Sequence, residues 1–249
     1  MVWGSFGAIH LISLLVSMLL IVGLHFLLRT LSPKWQIGIL FVLSFAGISA
    51  IIFNLVTWNS PIEYLPLHMC SINAMLLPIT VLTRKRMLGS LVLFWCLGAA
   101  LSLIVNTGQA NFEIASPTFW FFYLPHTLEV AIPILLFSTG LIRFEVKTAP
   151  MTVLITMILY TVVHFCNLFL NQYAQTHNVV DWAGNTVKVN YMFSLSTDGN
   201  VLLDVFWKLI PYPYWYMYGT TVLIVAYFLL IEGIRRFCVR LRTKKEKTV

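Results

Sequence analysis

Cys70 is where the chemistry open to this chain begins. A thiol becomes a strong nucleophile only when a base or a positive charge raises its thiolate fraction. Cys70 is the cysteine with several histidines near it: His68, two residues earlier, and His126, in a later apolar segment. On a regular helix His68 and Cys70 face different directions, which makes His126 the better placed base. His126 and Glu129 are spaced i, i+3 and share a helical face, so the carboxylate can orient the imidazole and stabilise its charged form. A further polar set, Tyr160, His164, Asn167 and Asn171, recurs at intervals of four, three and four along one stripe of an apolar segment. His164, Asn167 and Asn171 can donate to a headgroup phosphate or an oxyanion; hydrogen bonding between helices is the other common use of such residues in membranes. Simpler readings stay open for the rest. Cys70 can be a small packing residue, as Cys96 and Cys166 are expected to be, and Glu129 a protonated, hydrogen-bonded structural carboxyl.

The elements that must position these groups are membrane helices. The 249 residues are 59% hydrophobic and 10% charged, where a soluble domain carries roughly 25% charged residues. The fold class is all-α, a polytopic seven-transmembrane-helix bundle. Seven runs are long and apolar enough to span: Gly7–Leu28, Trp35–Trp58, Tyr64–Leu82, Met87–Val105, Thr118–Ile142, Pro150–Leu170 and Trp215–Ile234. Glu129 is the acidic residue deep inside one of them, while Glu232 sits in the last turn of the seventh and can snorkel. The transmembrane domain covers 1–235, with an outer loop at 171–213 and a basic cytoplasmic tail at 236–249. The segment MVWGSFGAIH lacks the basic n-region of a cleaved signal peptide, so the first span is expected to be retained.

Lysine and arginine set the orientation. With the N-terminus outside and the C-terminus cytoplasmic, Lys188 and Lys208 alone of the sixteen basic residues fall outside. The net charge of +7 therefore reads as an orientation signal and a contact with anionic lipid, and no nucleic acid is expected as partner. The four cysteines, Cys70, Cys96, Cys166 and Cys238, form no CxxC pair, so neither a disulfide framework nor a zinc ribbon is expected.

This topology places the polar groups at one level. At ~1.5 Å per residue, Cys70 lies ~9 Å below the outer end of its span and His126 ~12 Å below its own, and His164 is similar. Asn54, near the end of the second span, reaches the same depth, so the set can converge in an outer-leaflet pocket. Pro66, Pro78, Pro125 and Pro133 mark kinks or freed carbonyls, and broken backbone is tolerated in a membrane where it lines a cavity or is buried in protein. Asn200–Ile210 reads as a short amphipathic helix at the interface. Tyr212, Tyr214, Trp215, Tyr216 and Tyr218 form an aromatic belt. His10 and His25 are expected at the interfaces and His177 in solvent.

The segment LPLHMC at Leu65–Cys70, together with His126, Asn167 and VNYMF at Val189–Phe193, resembles the YwaF-like family of multi-pass membrane proteins. That family is similar to a eukaryotic branch, transmembrane protein 164, described as a cysteine-dependent acyltransferase of ether phospholipids. The resemblance implies that Cys70 and His126 are the catalytic pair. Relatives carry an acidic residue after the cysteine, where this chain has Ser71.

The expectation is a multi-pass plasma-membrane protein that transfers or hydrolyses acyl esters of a membrane phospholipid or another lipid. Cys70 attacks, His126 is the base, Glu129 orients it, and His68, His164, Asn167, Asn171 and Asn54 bind substrate. No cofactor and no metal is expected. Two alternatives belong to other classes. One is a metal or haem site on His68, Cys70, His126 and His164, although the spacing matches no local metal motif. The other is a transporter or a protein that binds lipids or small molecules. The oligomeric state is not legible.

Overall fold

The computed structural model describes residues 2–4, 6–105, 111–181 and 183–246, with side chains as far as Phe237. Lys247 of the basic tail lies outside the described residues, as does the Cys238 side chain. The described chain is mostly helical and carries a two-stranded antiparallel ribbon, β1 (Val2–Trp3) and β2 (Phe112–Glu113), in which Trp3 pairs with Phe112. The helices are α1 (Ala8–Arg29), α2 (Pro33–Leu43), α3 (Phe45–Thr57), α4 (Met69–Thr83), α5 (Arg86–Ile104), α6 (Pro117–Ser138), α7 (Ala149–Thr176), α8 (Val201–Leu209) and α9 (Thr220–Glu246).

Among the described residues, six helical segments are long and apolar enough to cross a membrane: α1, α2 with α3, α5, α6, α7 with the turn before it, and the start of α9 with the turn before it. The protein is thus a multi-pass integral membrane protein. The segment expected at Tyr64–Leu82 is different. Its helix, α4, has 15 residues and measures ~22 Å, short of the ~30 Å hydrocarbon core. Pro66 explains the late start, because proline disfavours helical geometry at the residue before it and brings no N–H. Residues 58–68 are turns instead.

α4, α5 and α6 form the centre. α4 packs on α2, α3, α5 and α6, and Leu77, Val81, Val92, Ala131, Ile132 and Leu135 build the main core with Leu28 and Leu40. The peripheral helices expose apolar side chains such as Phe26, Val56, Phe165 and Val222, as lipid-facing surfaces must. α9 docks by Ile224 and Phe228 against Leu91, Phe94 and Trp95 of α5.

α1 is held to α6 by polar contacts. Trp3 Nε1 donates to Ser13 Oγ (2.7 Å), Tyr123 OH donates to the Ser13 carbonyl (2.7 Å), and Ser17 Oγ lies within hydrogen-bond distance of Tyr123 OH and Thr127 Oγ1 (2.8 and 2.9 Å). His10, expected at an interface, belongs here instead. It is fully buried, its Nδ1 accepts from the Phe6 N–H (3.1 Å), and its Nε2 therefore donates to the Leu103 carbonyl (2.6 Å). β1 and the start of α6 bury what a bare helix end would expose.

α3 meets α4 most tightly at Gly47. A Cβ there would stand 2.4 Å from Ala74 Cβ and 3.4 Å from Glu129 Oε1. Gly47→Ala should therefore destabilise the protein by about 1–3 kcal/mol through overpacking, read as a lower thermal midpoint in detergent. Adding Ala74→Gly should restore most of the loss.

Candidate functional site

A cavity of about 340 Å³ opens between α3, the turns before α4, α4 itself and α6. Asn54, His68, Cys70, His126 and Glu129 all line it, with Gly47, Glu63, Phe121 and Phe122 among the other wall residues. His68 and Cys70 both line the cavity, from either side of the start of α4. His68 is the N-cap residue, in extended geometry (φ −70°, ψ 151°), and the helix begins at Met69. The helical phase that would turn the two side chains apart does not apply across that boundary.

His126 is fixed by its own helix. Its Nδ1 lies 2.7 Å from the Phe122 carbonyl oxygen. A carbonyl only accepts, so Nδ1 carries the proton and Nε2 is left as the basic nitrogen. The group that sets the imidazole tautomer is therefore Phe122, not Glu129 as the i, i+3 spacing suggested. Pro125 adds to this, having no N–H to give the Phe121 carbonyl. His68 has the opposite tautomer. The Met192 N–H reaches its Nδ1 at 3.4 Å, which leaves a proton on Nε2. One histidine of the cavity wall thus offers an acceptor and the other a donor.

Glu129 is buried, and its Oε2 makes no hydrogen bond. Asn73 stands beside it, with Nδ2 and Oδ1 also unpaired. Buried polar atoms without partners are rare and gather at functional sites. Glu63 Oε2 is a further one, at the border with a polar recess of about 230 Å³ that Lys188 and Asp198 also line.

His164, Asn167 and Asn171 are not in the cavity wall. They hold the segment that follows α7. Asn167 Oδ1 accepts from the Tyr191 N–H (3.0 Å), and its Nδ2 donates to the Tyr191 carbonyl and to Ser194 Oγ (both 2.8 Å). Asn171 treats Val189 the same way, accepting from its N–H at 2.7 Å and donating to its carbonyl at 2.9 Å. The register is physical. Four residues of helix rise ~6 Å, and two residues of extended chain cover ~6.6 Å, so each carboxamide meets every second residue of the strap. His164 Nδ1 lies 3.0 Å from Ser194 Oγ, and Tyr160 OH donates to the Tyr214 carbonyl at 3.0 Å. The whole stripe read from the sequence is a zipper.

The strap reaches the cavity through Tyr191. Its hydroxyl donates to the Ile62 carbonyl and accepts from the Leu65 N–H, and its ring meets His68 edge to face at 5.1 Å. Tyr191, Ser194, Asn73 and Phe122 have no spacing in the sequence that marks them as part of the site. VNYMF was noted as a run, but no periodicity marks Tyr191 as the link between two loops.

Among the described residues, no three His, Cys, Asp or Glu side chains are grouped to hold a metal ion, and His164 lies apart from His68, Cys70 and His126. Asn167→Leu should leave the buried Tyr191 N–H and carbonyl unpaired, at roughly 1–3 kcal/mol for each. Limited proteolysis of the variant in detergent should cut between residues 186 and 199, where the wild type resists.

No curated protein and no solved structure matches the chain. A family model does match, over residues 5–231, and it is compatible with the YwaF-like resemblance of LPLHMC. With the polar groups carried on a bundle of this kind and the match running nearly from end to end, the chain belongs to the TMEM164 family.

Proposed function

We propose that the protein is a membrane-embedded lipid acyltransferase, or an acyl-ester hydrolase, that works through Cys70 and His126. The observation that supports this is that Cys70, on α4, and His126, on α6, line the same cavity, with the His126 Nε2 left as the basic nitrogen by the contact of Nδ1 with the Phe122 carbonyl.

In the proposed reaction the Cys70 proton passes to His126 Nε2 and the sulfur attacks the ester carbonyl carbon. The carbonyl oxygen becomes an oxyanion, and the Nε2–H of His68 is suited to bind it. Collapse breaks the ester C–O bond. The leaving alkoxide takes the proton from His126, and an acyl-thioester remains on Cys70. An acceptor hydroxyl, from a second lipid or from water, then gives its proton to His126 and attacks the thioester, which releases the thiol. Glu129 lies one turn further along the same face of α6 and lines the same cavity, beside the imidazole it is proposed to orient. Asn54 borders the substrate, and His164, Asn167 and Asn171 serve the site by holding the strap.

The same proposal takes α4 as the third of seven crossings, with the N-terminus outside, the C-terminus cytoplasmic and the plasma membrane as location. The clustering of basic residues on one set of loops supports it. The site then lies in the outer leaflet, a depth suited to the ester carbonyls of phospholipids.

The test uses purified protein in nanodiscs that contain a phospholipid with a clickable acyl chain. The wild type should acquire a hydroxylamine-sensitive label, and Cys70→Ser should abolish it. His126→Ala should slow labelling by about 10²–10⁴-fold, the usual worth of a general base. Labelling that survives Cys70→Ser would sink the assignment.

A further inference from the structure

A second and larger cavity lies at the other end of α6, apart from the proposed chemistry. It measures about 1,070 Å³ and opens between α5, the C-terminal end of α6, the chain from Gly140 to Lys147, and α9. Ile134 lies eight residues beyond His126 on α6, which is ~12 Å along the axis. The floor is apolar, built from Leu93, Phe137, Ile142 and Ile231, and Arg143, Lys147 and Arg235 stand at the rim.

The charges at this rim do not cancel. Glu145 is bound by Arg86, and Glu232 is bound by both Arg235 and Arg236 (2.8 and 2.7 Å). Arg143 and Lys147 have no carboxylate partner among the described residues, and both are exposed. The two carboxylates that could offset them are already neutralised. A cavity with an apolar floor and a cationic mouth has the polarity of an amphiphile. Its volume exceeds the ~300–1,000 Å³ of ordinary small-molecule sites, which suits an acyl chain better than a metabolite. Loops on this side carry Arg84, Lys85 and Arg86 as well, so the rim lies at the end of the bundle where anionic headgroups meet basic residues.

We infer that this cavity is a binding site for an anionic phospholipid, with an acyl chain on the floor and the headgroup phosphate between Arg143 and Lys147. The lipid bridges the end of α6 to α9, two helices with little other contact at that level. The occupant is distinct from the substrate of the Cys70 cavity and does not depend on the reaction proposed there.

The experiment measures which lipids stay on the purified protein. Wild-type protein is taken from nanodiscs of equal phosphatidylcholine and phosphatidylglycerol, and the retained lipids are counted by native mass spectrometry. Phosphatidylglycerol should be retained in preference. Arg143→Gln with Lys147→Gln should lower that preference roughly thirtyfold, the equivalent of about 2 kcal/mol at ~1 kcal/mol per basic group. Ile231→Trp, which fills the floor and leaves the charges in place, should reduce retention of phosphatidylglycerol. A variant of the tail, Arg240→Gln with Arg242→Gln and Lys244→Gln, should keep the preference. Equal retention of both lipids by the wild type would overturn the inference. So would a preference that survives the loss of Arg143 and Lys147, or one that disappears with the tail charges instead.

Discussion

A chain segment laid over a membrane protein must still satisfy its backbone, and here two asparagines do it. Asn167 and Asn171 each bind the N–H and the carbonyl of one residue in the strap after α7. Each carboxamide does for the strap what a neighbouring strand does in a sheet. Without them, the polar groups of Val189 and Tyr191 would be buried and unmatched, since both residues are almost fully covered. Once fixed, Tyr191 holds Ile62 and Leu65. Those turns lead into His68, and His68 starts the helix that carries Cys70. The cavity wall is thus positioned from outside the bundle.

Irregular backbone surrounds the cavity for a related reason. The helix α4 has 15 residues, and residues 58–68 ahead of it run as turns and bends, where buried N–H and carbonyl groups without partners would be costly. They are tolerated because Tyr191 and local contacts such as Leu67 N–H to the Leu65 carbonyl serve them. Gly47 then lets α3 approach α4 and leaves room for the Glu129 carboxyl. Shortness at α4, a small residue on α3 and proline in α6 are separate features of the sequence, and all three border the cavity that Cys70 and His126 line.

Much of this was legible in the residues, and its limits have physical causes. Hydrophobic runs gave the helices, and the four-three-four spacing gave the stripe on α7. Periodicity tells which side chains share a face, but not what covers it, so headgroup contact and interhelical bonding both stood open while the actual partner was a loop. Helical phase does not relate His68 to Cys70, because the helix begins between them, at Met69. The spacing of His126 and Glu129 was read as a contact, yet a backbone carbonyl one turn earlier is nearer to Nδ1. The third run, Tyr64–Leu82, is apolar enough to read as a full span, but its helix begins only at Met69, after Pro66. His10 looked interfacial by its position, while its true neighbour, Leu103, is 93 residues away and has no sequence signature.

The ribbon of Trp3 with Phe112, and the burial of His10 against Leu103, bear on how the molecule is assembled. α1 packs on β1 and α6, and its principal partners lie more than ninety residues downstream. During synthesis the first helix enters the bilayer long before the surfaces that bury its serines and histidine exist. Ser13, Ser17 and His10 must wait in lipid, or in the insertion machinery, until α6 arrives. Closure of the N-terminal corner is therefore a late folding event with high contact order, since α6 is complete only after more than half of the chain has been made.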